Sequence, residues 1–250
     1  MNPNEELFYG SETNFLLVGR NIFAAPDLRE LRNLYRESLA NALTLDLDPS
    51  TLGRIQLGVA PDAVRLRSEW NEIWKKADLS KMWKVVPRFT QVTFPPMLRT
   101  LKTRQGEVPW HQDEAYMISL GKRGHREIIT CFVPLDDDPH NHPSLEFSLN
   151  PTQEAIPHVE RDGFSANRFD LAESVKVGLS PPIRFDLDLG DCLIFGKHVL
   201  HRTSFRPFAA RTSIEFRLTT LDARIAGKDY FDLKSMRFYK NEEQTGHAKI

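Results

Sequence analysis

Hydrophobic side chains recur at helical spacing in the first third of the chain. One set follows Pro26-Asp27 and predicts an amphipathic helix, and Asp27 with Glu30 has the spacing of a capping box. A second set begins near Pro61-Asp62 and predicts another helix. Both apolar faces are expected to pack against the core. The two sets are Leu28, Leu31, Leu34, Tyr35, Leu39, Ala42 and Leu43, and then Ala63, Leu66, Trp70, Ile73, Trp74 and Ala77.

After about residue 83 the pattern changes to short β-rich runs that turn residues separate. The runs cover 83–86, 89–94, 98–103, 128–133, 183–187, 192–195 and 212–218. Many short strands with little helical pattern between them favour an antiparallel sandwich or barrel over a parallel α/β sheet. We therefore predict a mainly β (α+β) fold whose β core carries the helices on one side.

The length of 250 residues allows one elaborated domain or two small ones, and we interpret the chain as a single domain. Its predicted parts are a helical N-terminal part over 1–82, a β core over 83–220 and a C-terminal extension over 221–250. Hydrophobic residues make up 40% of the chain and charged residues 27%, which is typical of a globular protein with a sizeable core.

Net charge and hydropathy argue against nucleic acid and membrane as partners. Lys and Arg number 33 and Asp and Glu 34, so the net charge of −1 does not predict a nucleic-acid binder. No run approaches the roughly 18 apolar residues of a membrane span, and the acidic start is unlike a secretory signal. We expect a cytoplasmic protein whose two cysteines, Cys131 and Cys192, are buried and reduced. The sequence leaves the oligomeric state open.

A candidate metal site begins at His111-Gln112-Asp113, which follows a β-like run. Residues i and i+2 of a strand point to the same side, so His111 and Asp113 could offer ligand atoms to one ion. Chance alone gives about one His-x-Asp/Glu match in this composition, and context separates this match from the two others. The best third ligand is His201, which follows a buried β-like run, with His198 as the alternative.

Two histidines and one carboxylate on one face of an ion are typical of non-haem Fe(II) oxygenases, because three positions stay open. Two of these positions could chelate 2-oxoglutarate and the third could take dioxygen. The far carboxylate of 2-oxoglutarate would then need a bidentate partner, which Arg211 could supply. Ser213, on the same strand face as Arg211, or Thr203 could add a hydroxyl group.

The run Trp110-His111-Gln112-Asp113, the later 190–195 segment, His201 and Arg211 together resemble the phytanoyl-CoA dioxygenase family over roughly residues 85–220. The resemblance implies a double-stranded β-helix, which is a cupin-like jelly roll, with Fe(II) and 2-oxoglutarate. It implies that His111, Asp113 and His201 bind iron, that Arg211 binds 2-oxoglutarate, and that Thr203 adds a hydroxyl group. Family members carry a Gly-Ser-His turn where this chain has 142–151, a loop expected near the substrate, so the substrate does not transfer.

The predicted function is therefore an Fe(II)- and 2-oxoglutarate-dependent dioxygenase that hydroxylates, desaturates or cyclises a small molecule, in biosynthetic tailoring. Trp110, Tyr116 and His198 flank the predicted ligands and are candidates for the substrate pocket. One alternative is a cupin-type metalloenzyme, an isomerase or a 2-oxoglutarate-independent dioxygenase, which would leave Arg211 without a role. The other is a jelly-roll ligand-binding module without turnover.

Overall fold

The structure is a computed structural model in which short strands make up most of the regular elements. It describes residues 5–11, 14–43, 54–56, 63–93, 97–101, 108–119, 128–138, 144–149, 155–160, 169–204, 211–223 and 230–239. Fifteen strands lie in these ranges: β1 (Glu5–Ser11), β2 (Asn14–Gly19), β3 (Arg54–Gln56), β4 (Gln91–Thr93), β5 (Met97–Leu101), β6 (Ile128–Pro134), β7 (Ser144–Ser148), β8 (His158–Glu160), β9 (Phe169–Leu171), β10 (Ile183–Arg184), β11 (Cys192–Gly196), β12 (Leu200–Ser204), β13 (Arg211–Thr219), β14 (Tyr230–Asp232) and β15 (Arg237–Tyr239).

The strands form two antiparallel sheets and one hairpin. The large sheet has the order β1-β2-β11-β6-β13-β4-β14-β15, with β5 paired to β13 and β3 paired to β5. The small sheet has the order β10-β7-β12, and β8 pairs with β9. This is the predicted jelly-roll architecture, in which two antiparallel sheets pack face to face.

The two faces of the large sheet pack into two different cores because side chains alternate along each strand. The inner face meets the small sheet in a cluster that contains Phe132, Phe147 and Phe195. The outer face meets the helices in a larger cluster that contains Trp70, Trp74 and Phe216. The helical layer therefore lies on one side of the β core, as the sequence predicts.

Five α-helices lie in the described ranges: α1 (Ala25–Leu43), α2 (Ala63–Lys76), α3 (Leu79–Val85), α4 (Asp113–Ser119) and α5 (Glu173–Lys176). The first two confirm the helices that the hydrophobic periodicity predicts. The strand predicted at 83–86 is wrong, because most of this run is the last turn of α3. Leu79 and Met82, three residues apart on one helix face, are both buried in the helical core. Burial on a helical face thus outweighs the β-propensity of the run.

The N-terminal part is not only helical, because β1 and β2 precede α1 and β2 joins the large sheet beside β11. Leu17 of β2 faces the helices, whereas Leu16 and Val18 face the barrel interior. A strand buried on both faces does not alternate polar and apolar residues, so the sequence pattern does not reveal β2 as a strand. The β core therefore begins well before residue 83.

Two other stretches are strands where the sequence left a loop or an undecided tail. Within the stretch 142–151, residues 144–148 form β7, which pairs with β12, so this part is a strand of the small sheet rather than a loop. Beyond residue 221, β14 pairs with β4 and β15 pairs with β14, so this part of the chain extends the large sheet. Among the described residues no helix is long and apolar enough to cross a membrane.

The turn before β11 links the helical layer to the sheet. Asp191 is buried, and its carboxylate accepts hydrogen bonds from Arg20, from the backbone N–H of Asn21 and from the backbone N–H of Asp188. Gly190 precedes it with a φ of 116°, and its carbonyl accepts the Phe23 N–H at 3.0 Å. Gly190 and Asp191 therefore hold the connection between β2 and α1 against the start of β11.

Replacing Gly190 with alanine is expected to destabilise the fold. An added Cβ would lie 2.6 Å from the Phe23 carbonyl oxygen, and the positive φ is itself unfavourable for alanine by about 1–3 kcal/mol. Urea unfolding measures this loss as a lower midpoint. Gly178→Ala is the matched control, because its Cβ would meet its nearest neighbour at 3.8 Å. Equal midpoints for the two variants would contradict the prediction.

Candidate metal centre

Three buried side chains converge inside the jelly roll. His111, Asp113 and His201 each offer a ligand atom, and these atoms lie within 4.8 Å of one another. Nε2 of His111 lies 3.8 Å from Oδ1 of Asp113, and Nε2 of His201 lies 4.0 Å from the same oxygen. The three atoms are close enough to share one ion, which would draw them closer, because bonds of about 2 Å place neighbouring ligand atoms about 3 Å apart. The three predicted ligands therefore come together although ninety residues separate His111 from His201 in the chain.

Main-chain pairing positions the two imidazoles. The His111 N–H donates to the His201 carbonyl at 2.9 Å, and the His201 N–H donates back to the His111 carbonyl at 3.0 Å. This single antiparallel bridge adds the His111 segment to the free edge of β12. Asp113 lies at the start of α4 and not on the extended strand that the sequence argument assumed. A carboxylate is favourable in the first turn of a helix, which explains the change of backbone there.

Both histidine rings have a defined tautomer. Nδ1 of His111 is 2.8 Å from the Pro109 carbonyl, and Nδ1 of His201 is 2.9 Å from the Val199 carbonyl. A carbonyl only accepts, so each Nδ1 carries the proton and each Nε2 keeps its lone pair for a metal. Burial, the largest influence, holds the pKa of both imidazoles below the usual value, which keeps them neutral.

Asp113 is held as a carboxylate by two neighbours that the sequence argument missed. Thr130 of β6 donates its hydroxyl to Oδ2, and Nη2 of Arg217 lies 3.3 Å from both carboxylate oxygens. Burial would raise the pKa of Asp113, but the Arg217 guanidinium and the Thr130 hydrogen bond oppose it, and the pKa is lowered to about 2. The signal for Thr130 was a polar residue inside the apolar run 128–133.

A row of polar side chains continues along β13 away from the triad, which is the set His111, Asp113 and His201. Arg211, Ser213, Glu215 and Arg217 alternate with Thr212, Ile214 and Phe216, and Ile214 and Phe216 pack on the helical side, so the four share the inner face of the strand. Arg211 is 1% exposed, its guanidinium lies 5.0 Å from the Phe132 ring centroid, and Nη2 is 4.0 Å from Oε1 of Glu215. Arg211 and Ser213 are predicted from the sequence, and a two-residue step along the same strand reaches Glu215 and Arg217 as well.

Ser213 and Thr203 are both buried. Among the described residues, the Ser213 hydroxyl has no hydrogen-bond partner. Thr203 follows His201 by two residues on the same face of β12, and its hydroxyl oxygen accepts the Val108 N–H at 3.2 Å. That bond uses the oxygen of Thr203 and leaves its hydroxyl proton able to donate.

The three predicted pocket residues have different surroundings. Tyr116 is half-buried, and its ring lies 5.2 Å from that of His111 and 5.1 Å from that of Phe169. Trp110 belongs to a separate apolar cluster and contacts Arg202, whose guanidinium carbon is 4.7 Å from its ring centroid. His198 is half-buried, and its backbone carbonyl accepts a hydrogen bond from Gln112. Tyr116 thus contacts the ring of His111.

Gln112 ties a neighbouring segment to the triad. Its side chain is fully buried, donates to the His198 carbonyl at 2.7 Å and accepts the Ile156 N–H at 2.7 Å. Its backbone N–H donates to Nε2 of His158, whose Nδ1 lies 2.7 Å from the Ile156 carbonyl. The chain leading into the β8–β9 hairpin is therefore fixed against the metal-ligand segment.

Fold and geometry together define a class: a jelly-roll protein with a buried site of two histidines and one aspartate that suits a divalent metal. Among solved structures, the chain is similar to ThoJ, described as a non-heme monooxygenase, with 15% identity over 84% of this chain and 75% of that one and a TM-score of 0.57. No protein-family model matches the chain, and no curated protein matches it.

Two further structures are similar. SnoN, a non-heme α-ketoglutarate-dependent epimerase from nogalamycin biosynthesis, matches with 14% identity over 87% of this chain and 79% of that one and a TM-score of 0.54. EctD from S. alaskensis, solved with 2-oxoglutarate and 5-hydroxyectoine, matches with 15% identity over 85% and 74% and a TM-score of 0.53. The chain therefore has the fold seen in these three proteins.

Proposed function

We propose that the protein is an Fe(II)- and 2-oxoglutarate-dependent oxygenase. The observation that carries the proposal is the buried His111, Asp113 and His201 site, in which both imidazoles present an unprotonated Nε2 and the carboxylate is ionised. Two nitrogen donors and one oxygen donor with open positions suit non-haem Fe(II). The similar folds of SnoN and EctD support the same class, because α-ketoglutarate, which is 2-oxoglutarate, appears in the descriptions of both.

The inner face of β13 fits the co-substrate. 2-Oxoglutarate has a 2-oxo acid end for the metal and a second carboxylate two methylene groups beyond the oxo carbon. Arg211 supplies a buried cation for that carboxylate, and the buried hydroxyl of Ser213 shares its strand face. A buried hydroxyl without a partner among the described residues is unfavourable unless a ligand satisfies it. Thr203 can donate its remaining proton to the same ligand.

Bound Fe(II) and 2-oxoglutarate would activate dioxygen, which is the oxidant, with succinate and carbon dioxide as by-products. The chain's own residues would orient the metal ligands and exclude water. Pro109 and Val199 carbonyls orient the imidazoles, and Thr130 with Arg217 holds the carboxylate of Asp113. The apolar inner cluster around Phe147 and Phe195 excludes water from the site. Tyr116, between His111 and Phe169, is a candidate substrate contact.

We place the substrate among small molecules modified in biosynthesis, by hydroxylation, desaturation or ring closure. SnoN and SnoK, an epimerase and a carbocyclase from nogalamycin biosynthesis, have this fold and support the assignment. Membership of the phytanoyl-CoA dioxygenase family is part of the proposal and depends on the run 110–113, His201 and Arg211.

The direct test is anaerobic titration of the Fe(II)-loaded protein with 2-oxoglutarate, followed by measurement of succinate in air with a library of candidate substrates. Binding of 2-oxoglutarate and substrate-dependent succinate support the proposal. Fe(II) binding without 2-oxoglutarate binding would favour the cupin-type metalloenzyme. Failure to hold Fe(II) would favour the binding module.

Arg211→Lys is expected to weaken 2-oxoglutarate binding about 10- to 100-fold, because lysine keeps the charge but loses the bidentate fork. Calorimetric titration of the metal-loaded variant measures the change. Arg202→Lys is the control, because Arg202 pairs with Glu146, with its side chain 40% exposed. Equal affinities in wild type and Arg211→Lys would remove Arg211 from this role.

A further inference from the structure

The inner row of β13 contains a carboxylate between the arginine and the metal ligands. Glu215 lies two residues from Arg217, which contacts Asp113, and four residues from Arg211. Four residues of strand span about 13 Å, yet Nη2 of Arg211 lies 4.0 Å from Oε1 of Glu215. The two side chains therefore lean toward each other along the strand, and the guanidinium extends toward the triad.

Glu215 lies in the protein interior, close to Arg211 and to the candidate metal site. Its side chain is 16% exposed, and its partner on the neighbouring strand is Phe132, the residue whose ring lies under the Arg211 guanidinium. Its charge also reaches His201, where it opposes the lowering of the imidazole pKa by burial. The Glu215 carboxylate thus lies on the path between the metal ligands and Arg211.

On the basis of the proposed function, we propose that Glu215 occupies the Arg211 subsite as an internal carboxylate and sets the affinity for 2-oxoglutarate. The co-substrate must bring its own distal carboxylate to Arg211, so Glu215 has to move aside and gives up its pairing with the guanidinium. Two like charges in a mostly dry barrel repel strongly. Glu215 therefore weakens 2-oxoglutarate binding and is a specificity-determining residue for the co-substrate.

The test compares 2-oxoglutarate affinity in wild type, Glu215→Gln and Glu146→Gln, each loaded with Fe(II) and titrated anaerobically by calorimetry. Glu215→Gln keeps the shape, removes the competing charge and is expected to bind about tenfold more tightly, which corresponds to about 1.4 kcal/mol. Glu146→Gln makes the same change in net charge at the pair with Arg202 in the small sheet and should bind as wild type does. Glu215→Ala provides a second variant if the glutamine variant folds poorly.

A second ligand separates competition from a general change in the site. 2-Oxobutyrate has the same 2-oxo acid end but no distal carboxylate, so its affinity should be the same in wild type and Glu215→Gln. Unchanged or weaker 2-oxoglutarate binding in both Glu215 variants overturns the inference, as does an equal gain for 2-oxobutyrate. If neither wild type nor any variant binds 2-oxoglutarate, the proposed function itself fails. Binding by wild type without a gain in the variants defeats only the role of Glu215.

Discussion

Replacing His201 with alanine is expected to reduce metal-dependent turnover by more than about 100-fold. Loss of an outer partner of a metal ligand typically costs 10- to 100-fold, so loss of the ligand itself should cost more. The change removes one of the three ligand atoms that converge in the barrel but keeps the backbone bridge between residues 111 and 201. Fe(II) affinity and succinate formation are the two measurements.

The control for this prediction is His198→Ala, which also decides between the two histidines that the sequence left as candidates. His198 offers its backbone carbonyl to Gln112, and alanine keeps that carbonyl. We expect His198→Ala to retain Fe(II) affinity and His201→Ala to lose it, with far-ultraviolet circular dichroism unchanged in both. Loss of Fe(II) binding in His198→Ala alone would transfer the ligand role to residue 198.

Trp74→Ala is expected to lower the free energy of unfolding by about 3–5 kcal/mol, the usual cost of truncating a large buried aromatic side chain. Trp74 is fully buried, and its ring centroid lies 5.2 Å from that of Phe23, 5.3 Å from that of Trp70 and 5.0 Å from that of Phe216. These contacts join the helical layer to the outer face of the large sheet. Urea or guanidinium unfolding measures the loss.

Two companion variants sharpen the stability prediction. The indole N–H of Trp74 has no hydrogen-bond partner among the described residues, so Trp74→Phe should cost much less than the alanine change. Val177→Ala truncates an apolar side chain that is 90% exposed and should change stability by less than about 0.5 kcal/mol. A loss below about 1 kcal/mol for Trp74→Ala would show that this aromatic cluster does not hold the two layers together.

The predictions from sequence succeeded where local pattern and chemistry agree. The 3.6-residue periods predict α1 and α2, and most of the short β-rich runs contain strands. They failed where tertiary packing overrides local preference. The run 83–86 is mostly helical, and β2 shows no alternation because both of its faces are buried.

The three side chains of the candidate metal site were predictable because their chemistry is visible in single residues: two imidazoles and one carboxylate with donor atoms that suit a divalent ion. Their surroundings were not predictable in the same way. Thr130 is 17 residues from Asp113 in the chain and Arg217 is 104 residues away. Such contacts depend on the register between β6 and β13, which the packing of the whole sheet determines.

By itself, the sequence determined the composition of the site, the amphipathic helices and the mainly β character of the core, because these follow from side-chain chemistry and local periodicity. The tertiary structure decided which nitrogen of each histidine keeps its lone pair, which cation contacts Asp113, and that Glu215 lies beside Arg211. The physical reason is that hydrogen bonds and charge contacts act over a few ångströms. Only the folded sheet brings residues from distant parts of the chain within that range.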